Sequence, residues 1–194
     1  MTDARAAAIH HPAESELFDD ALSCDLALPA EFRLGSAAIR PGAAETLLRG
    51  VALVEDARGG GDDGDERGES SQQLLRLEAK LDLTLVLLGR LVRQSSDALP
   101  LRPVRWSRRG LRLELGMRSG ASAGSQGIVR LQPSEWLPDH IELPVTVLAE
   151  VANGAGGFFL WLRLQGAGDA LEMALERHLF RLHRRQVAES RRSR

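Results

Sequence analysis

The run Val104-Arg105-Trp106-Ser107-Arg108-Arg109-Gly110, in a chain of 194 residues, holds side chains that could bind an anion. Three guanidinium groups surround one hydroxyl and end at a glycine. Arginine presents a planar fork of donors that suits bidentate contact with phosphate or with guanine edges. The surrounding charge agrees. Residues 1–99 carry 10 basic and 18 acidic side chains, hence −8, whereas residues 100–194 carry 15 and 9, hence +6. An anionic partner would therefore meet the second half of the chain. Lys80 is the one lysine, so nearly all of that positive charge is arginine. Arginine-rich faces are often only solvated, and this run is the binding candidate among them.

Other chemistry finds little support. Ser107 has no base partner in sequence, the five histidines are scattered, and no glycine-rich loop joins a strand to a helix. The adjacent His10 and His11 have no cysteine or carboxylate at ligand spacing and read as part of a solvated tail. Asp62, Asp63, Asp65 and Glu66 lack the alternating ligand spacing of a calcium loop. Cys24 stands alone, so no internal disulfide exists. The chain has no tyrosine and few other aromatics, which argues against a platform for stacking single-stranded nucleic acid. The reading is of no catalytic residue, no metal and no cofactor.

The elements that must position the arginine run come next. Residues 1–21 read as a flexible N-terminal tail. Glu31-Phe32-Arg33-Leu34 alternates like a strand after a break at Pro29. Pro41-Gly42 opens a helix with Ala44, Leu47, Leu48, Val51 and Val54 at helical steps. Residues 58–71, Gly-, Asp- and Glu-rich with no apolar side chain, form a linker. Leu74 to Val92 is a helix whose Leu74, Leu77, Leu81, Thr84, Leu88 and Leu91 trace a heptad seam, widened by Leu85. From Leu83 onward this helix is apolar nearly all round, so it must be buried on more than one side. Asp82 and Arg90 interrupt it, and it is too short to cross a bilayer.

After Pro100 the period changes to two. Leu111-Arg112-Leu113-Glu114-Leu115 alternates in and out. Gly127 to Gln132 reads as a second strand, Ile141 to Val151 as a long one interrupted by Pro144, and Phe158 to Leu164 as its return across the Asn153–Gly157 turn. A last helix starts near Asp169, with Leu171, Ala174, Leu175, His178, Leu179 and Leu182 on one face. Its acids stand early and its arginines late, complementing the helix dipole. The class is α+β: a small antiparallel barrel with inserted heptad helices and a C-terminal amphipathic helix.

In this order the pieces resemble a PilZ domain, the bacterial receptor module for cyclic di-GMP. Residues 104–110 are similar to the family's Asp/Asn-x-Ser-x-x-Gly signature. Leu143-Pro144, the hairpin and Phe158-Phe159-Leu160-Trp161-Leu162 match its long strands, and residues 175–185 its terminal helix. Arg76 to Leu85, after a helix and a linker, resembles the atypical tetrameric branch, in which inserted heptad helices join subunits in a four-helix bundle. The resemblance implies one domain over residues 22–190, with a helical insertion at 41–97 and a PilZ-type β-barrel plus terminal helix at 100–187. It places any ligand at Arg105, Ser107, Arg108, Arg109 and Gly110, and oligomerisation at Leu74, Leu77, Leu81, Leu85, Leu88 and Leu91.

Arg105 stands where the signature has Asp or Asn, which exchanges an acceptor for guanine N–H groups for a donor. The family's upstream Arg-x-x-x-Arg pair is also missing: Arg105/Arg109, Arg108/Arg112 and Arg181/Arg185 have that spacing but not that place, and Arg90 and Arg93 are three apart. Weak or lost cyclic di-GMP binding follows. The function expected is a non-enzymatic, cytoplasmic signalling adaptor. It forms a homo-tetramer, acts on an unidentified downstream protein and inserts in no membrane. The alternative is a structural, protein-interaction scaffold with no nucleotide ligand.

Overall fold

The computed structural model describes residues 11–35, 42–59, 77, 81, 84, 99–134, 136–137 and 139–192. In chain order its elements are α1 (Pro12–Phe18), β1 (Ser23–Leu34), α2 (Ala43–Gly59), β2 (Leu101–Ser107), β3 (Gly110–Leu115), β4 (Gln126–Leu131), β5 (Ile141–Ala152), β6 (Phe158–Leu164) and α3 (Asp169–Arg192). The six strands close an antiparallel barrel in the order β1-β2-β3-β6-β5-β4. β1 closes it by pairing with β2 over Ser23–Pro29 and with β4 over Ala30–Leu34. Residues 35–100 separate β1 from β2 in the chain and include α2.

Period-two alternation dictates which side chains fill the barrel. Leu111 and Leu113 are fully buried and Leu115 nearly so, while Arg112 and Glu114 point outward. Leu131, Leu143, Val145, Val147, Leu160 and Leu162 complete the interior, and α3 adds Leu175, Leu179 and Leu182. Pro29 and Pro144, expected to break their strands, lie inside continuous strands instead. Each carbonyl points past the end of a neighbour, to Gln132 N–H from Pro29 and to Gln165 N–H from Pro144. Because N and C=O of a strand residue face the same side, each missing N–H falls where no ladder partner is needed. Asn153 organises the β5–β6 hairpin, its Oδ1 accepting from the N–H groups of Ala155 (2.9 Å) and Gly157 (3.0 Å).

The expectation of a flexible tail over residues 1–21 is corrected where that stretch is described. Pro12–Phe18 is a helix, and Ala13, Glu14, Leu17 and Phe18 in it are buried. Pro12 opens it without losing a bond, because the first helical N–H is unpartnered anyway. His11, expected in a solvated tail, caps it by accepting from Ala13 N–H at 3.2 Å and stacks on Trp161 with ring centres 5.0 Å apart. The terminal helix also runs further than expected, through Arg192.

Of the heptad helix, Leu77, Leu81 and Thr84 are helical and exposed. Leu74, Leu85, Leu88 and Leu91 lie outside the described residues, as does 60–71 of the linker. Among the described residues no helix is long and apolar enough to cross a membrane.

Candidate functional site

The arginine run occupies the end of β2 and the turn into β3. Register sets its outer face: Asp25 lies opposite Arg105, Arg105 opposite Arg112, Arg112 opposite Trp161, and Trp161 opposite Ala149. One row of side chains therefore crosses five strands on the outside of the barrel.

α1 lies on that row. The carboxylate of Glu14, 6% exposed, is the centre of the arrangement. Its Oε1 accepts from Nη1 of Arg105 and of Arg112, each at 2.7 Å, and its Oε2 accepts from Trp161 Nε1 at 2.6 Å. Two cations and an indole N–H thus satisfy one buried anion, the condition under which a charge can leave water. The arginines also stack, Arg105 on the Phe18 ring and Arg112 on the Phe159 ring, both 4.6 Å from the centroid.

The rest of the run serves the same contact. Ser107 is fully buried; its hydroxyl donates to the Leu17 carbonyl at 2.7 Å and accepts from Arg109 N–H at 3.1 Å and Gly110 N–H at 3.3 Å. Arg109 Nη1 donates to the carbonyls of Glu16 (3.2 Å) and Asp19 (2.9 Å), at the end of α1. Gly110 is needed for space: a Cβ there would lie 2.1 Å from the Leu162 carbonyl oxygen and 2.8 Å from Leu17 Cδ2. Arg108 turns the other way, toward Glu176 of α3 at 3.3 Å. Arg108, Arg109 and Arg163 line an open cavity of about 310 Å³ together with Glu16 and Glu172.

All five predicted residues are therefore neighbours, and four of them contact or make room for α1. Sequence reasoning missed Glu14, Arg112 and Trp161. Glu14 follows Pro12 in a helix of seven residues, too short for a readable period. Arg112 and Trp161 sit on the outward side of strands, where alternation predicts exposure and says nothing of a partner.

Two other titratable groups are buried. Burial, with Asp25 adding to it, pushes the Cys24 thiol up to about 11, so it is not a poised nucleophile. Burial, helped by Arg181 and Arg185, lowers His178 to about 4 despite a counteracting contact with the Pro133 carbonyl. His178 packs against Trp106, ring centres 5.5 Å apart, and fixes α3 on the barrel. Among the described residues no group of three or more His, Cys, Asp or Glu could hold a metal ion.

Comparison with known proteins agrees with this architecture. The family model described as the atypical PilZ domain, cyclic di-GMP receptor, matches residues 48–192. A search of curated proteins finds no match. A solved structure from Xanthomonas campestris, described as a pathogenic protein with a new tetrameric PilZ domain self-assembled via an unusual helical bundle, is 49% identical. The alignment covers 91% of this chain and 96% of that one, with a TM-score of 0.78.

Proposed function

Because the chain belongs to the atypical PilZ family, we propose that it is a non-enzymatic, cytoplasmic adaptor of cyclic di-GMP-linked signalling, with weak or lost direct binding of the dinucleotide. The observation that carries this reading is the engagement of the signature face by the protein's own α1. Arg105 and Arg112 are both bonded to Glu14, and the Ser107 hydroxyl is bonded to the Leu17 carbonyl. A cyclic dinucleotide would have to displace α1 from Arg105, Arg112 and Ser107 before it could use them, which weakens its binding. Arg105 also supplies no acceptor for guanine N–H groups. Arg108 and Arg109 line the open cavity beside Arg163, each already paired within the chain, Arg108 with Glu176 and Arg109 with the Glu16 and Asp19 carbonyls. Residual binding, where it exists, maps to Arg105, Ser107, Arg108, Arg109 and Gly110.

Assembly is the second half of the proposal. The chain forms a homo-tetramer through the heptad helix, as the Xanthomonas campestris protein does through its helical bundle. It presents several barrels to a downstream signalling protein. Calorimetric titration with cyclic di-GMP tests the first half. A submicromolar dissociation constant would refute it. Weak binding or none is the expected result, and none at millimolar dinucleotide is what the second reading, a scaffold with no nucleotide ligand, requires.

A further inference from the structure

The seat beneath α1 has the composition of a protein-recognition site. Trp161, Phe159, Arg105 and Arg112 meet on one outer face, and Trp and Arg dominate the energetic centres of protein interfaces. α1 and this face form a hydrophobic cluster of their own, Ala13, Leu17, Phe18, Phe159 and Trp161, separate from the cluster that fills the barrel. Lifting α1 would therefore leave the barrel core intact. α1 is also too short to be stable by itself, since an isolated helix of seven residues does not persist in water. It hangs on β1 through a turn in which Asp20 is held at φ 56°, a backbone region that non-glycine residues rarely adopt.

The face carries a second concavity beside α1. Past His11 a groove of about 560 Å³ continues the same face, lined by Arg118, Leu148, Ala149, Glu150 and Val151. Leu148, Ala149 and Val151 already pack against the α1 cluster, and Arg118 lies over the Phe158 ring at 5.2 Å. His11 also lines the groove. A helix longer than α1 would cover both parts.

We propose that this face is a docking site for an acidic amphipathic helix of a partner protein, and that α1 is its resident, displaceable occupant. The partner helix carries a carboxylate followed three and four residues later by two large apolar side chains, as Glu14, Leu17 and Phe18 do. Charge complementarity selects it: the carboxylate takes Arg105, Arg112 and Trp161 Nε1, and the apolar pair takes the surface beside Phe159. This rests on the adaptor reading and names the class of partner. While tethered, α1 competes at an effective concentration in the millimolar range, so a partner must bind tightly or act when α1 is released.

The test uses the full-length chain and a labelled synthetic peptide of residues 11–20. Leu17→Asp places a charge in the α1 contact and should free the seat. The peptide is expected to bind the Leu17→Asp protein at least tenfold more tightly than wild type, by fluorescence anisotropy. Adding Arg112→Ala, or changing the peptide's Glu14 to Gln, should lose at least tenfold of that affinity. Peptide binding that ignores both changes, or no binding to a folded Leu17→Asp protein, overturns the proposal. Native-state hydrogen exchange on the wild type supplies a check that needs no variant. The amides of α1 should exchange at least tenfold faster than those of β3 and β6, and exchange in step with the barrel also overturns it. Cyclic di-GMP calorimetry and light scattering, which test the adaptor reading itself, do not enter this assay.

Discussion

At the scale of single residues, the arginine run is held by a carboxylate that lies far from it in sequence. Arg105, Ser107, Arg109 and Gly110 stand together in sequence, whereas Glu14, which Arg105 and Arg112 bind, lies 91 and 98 positions away from them and 147 from Trp161. No local pattern reports contacts of that separation. Gly110 tests the packing directly. A methyl group there meets backbone, the Leu162 carbonyl, which cannot rotate aside. Gly110→Ala should therefore cost at least about 2 kcal/mol, read as a lowered Tm in scanning calorimetry. His178 tests the burial of α3. Its ordinary value is 6.5 and its value in the folded chain about 4, so the unfolded chain takes up the proton first as pH falls. Its contribution to stability is complete above pH 6.5 and is lost progressively down to about pH 4. The loss is on the order of 3 kcal/mol. Urea unfolding between those pH values should show the slope in wild type and a flatter one in His178→Leu. Equal slopes would mean that His178 is not held neutral.

At the scale of elements, periodicity carried most of the fold. The Leu111–Leu115 alternation, the stripe Ala44 to Val54 and the face Leu175, Leu179 and Leu182 each name an element that the structure contains. What periodicity could not show was α1, with less than two turns, or that Pro29 and Pro144 sit where a strand loses its neighbour. Nor could it show how α2 meets α3. That contact centres on Glu55, about a tenth exposed, which pairs with Arg181 Nε at 3.4 Å and with Arg185 one turn further along α3. Asp56 adds a contact to Arg181 at 3.6 Å but is itself largely exposed and contributes little. Glu55→Ala leaves the mostly buried Arg181 without its main counter-charge. It should loosen α2 by roughly 1–3 kcal/mol. Hydrogen exchange should register this as faster exchange in α2 with barrel strands unchanged, because Leu48 is the buried residue that α2 adds to the barrel cluster. Faster exchange throughout the barrel would show that α2 is part of its cooperative unit.

At the scale of the whole molecule, the apolar side chains left outside the barrel decide the argument. Leu77 and Leu81 are 56% and 57% exposed on the single chain, and with Thr84 they keep the four- and three-residue steps of one helix face. Leu53 on α2 is 75% exposed. One such residue needs no explanation, but a seam continued in sequence by Leu74, Leu85, Leu88 and Leu91 is an aggregation liability on a monomer. In the proposed tetramer, closed symmetry would remove the liability by burying each seam against copies of itself. Each leucine so covered contributes roughly 1.5–3 kcal/mol, and several per helix offset the entropy lost on association. Thr84 in the seam lowers that sum while helping to fix register. The barrel has its own core, so the two can be separated by mutation. Leu81→Asp, which would bury a charge in each strand of a bundle, should reduce the tetramer measured by light scattering at tens of micromolar to a smaller species. The far-ultraviolet signature of the strands should survive, and so should the Glu14 contact, since α1 and the seam share no residue. A wild-type monomer at that concentration, or a Leu81→Asp protein that stays tetrameric, would place the assembly surface elsewhere, and the exposed Leu53, Met173 and Phe180 would be the next residues to charge.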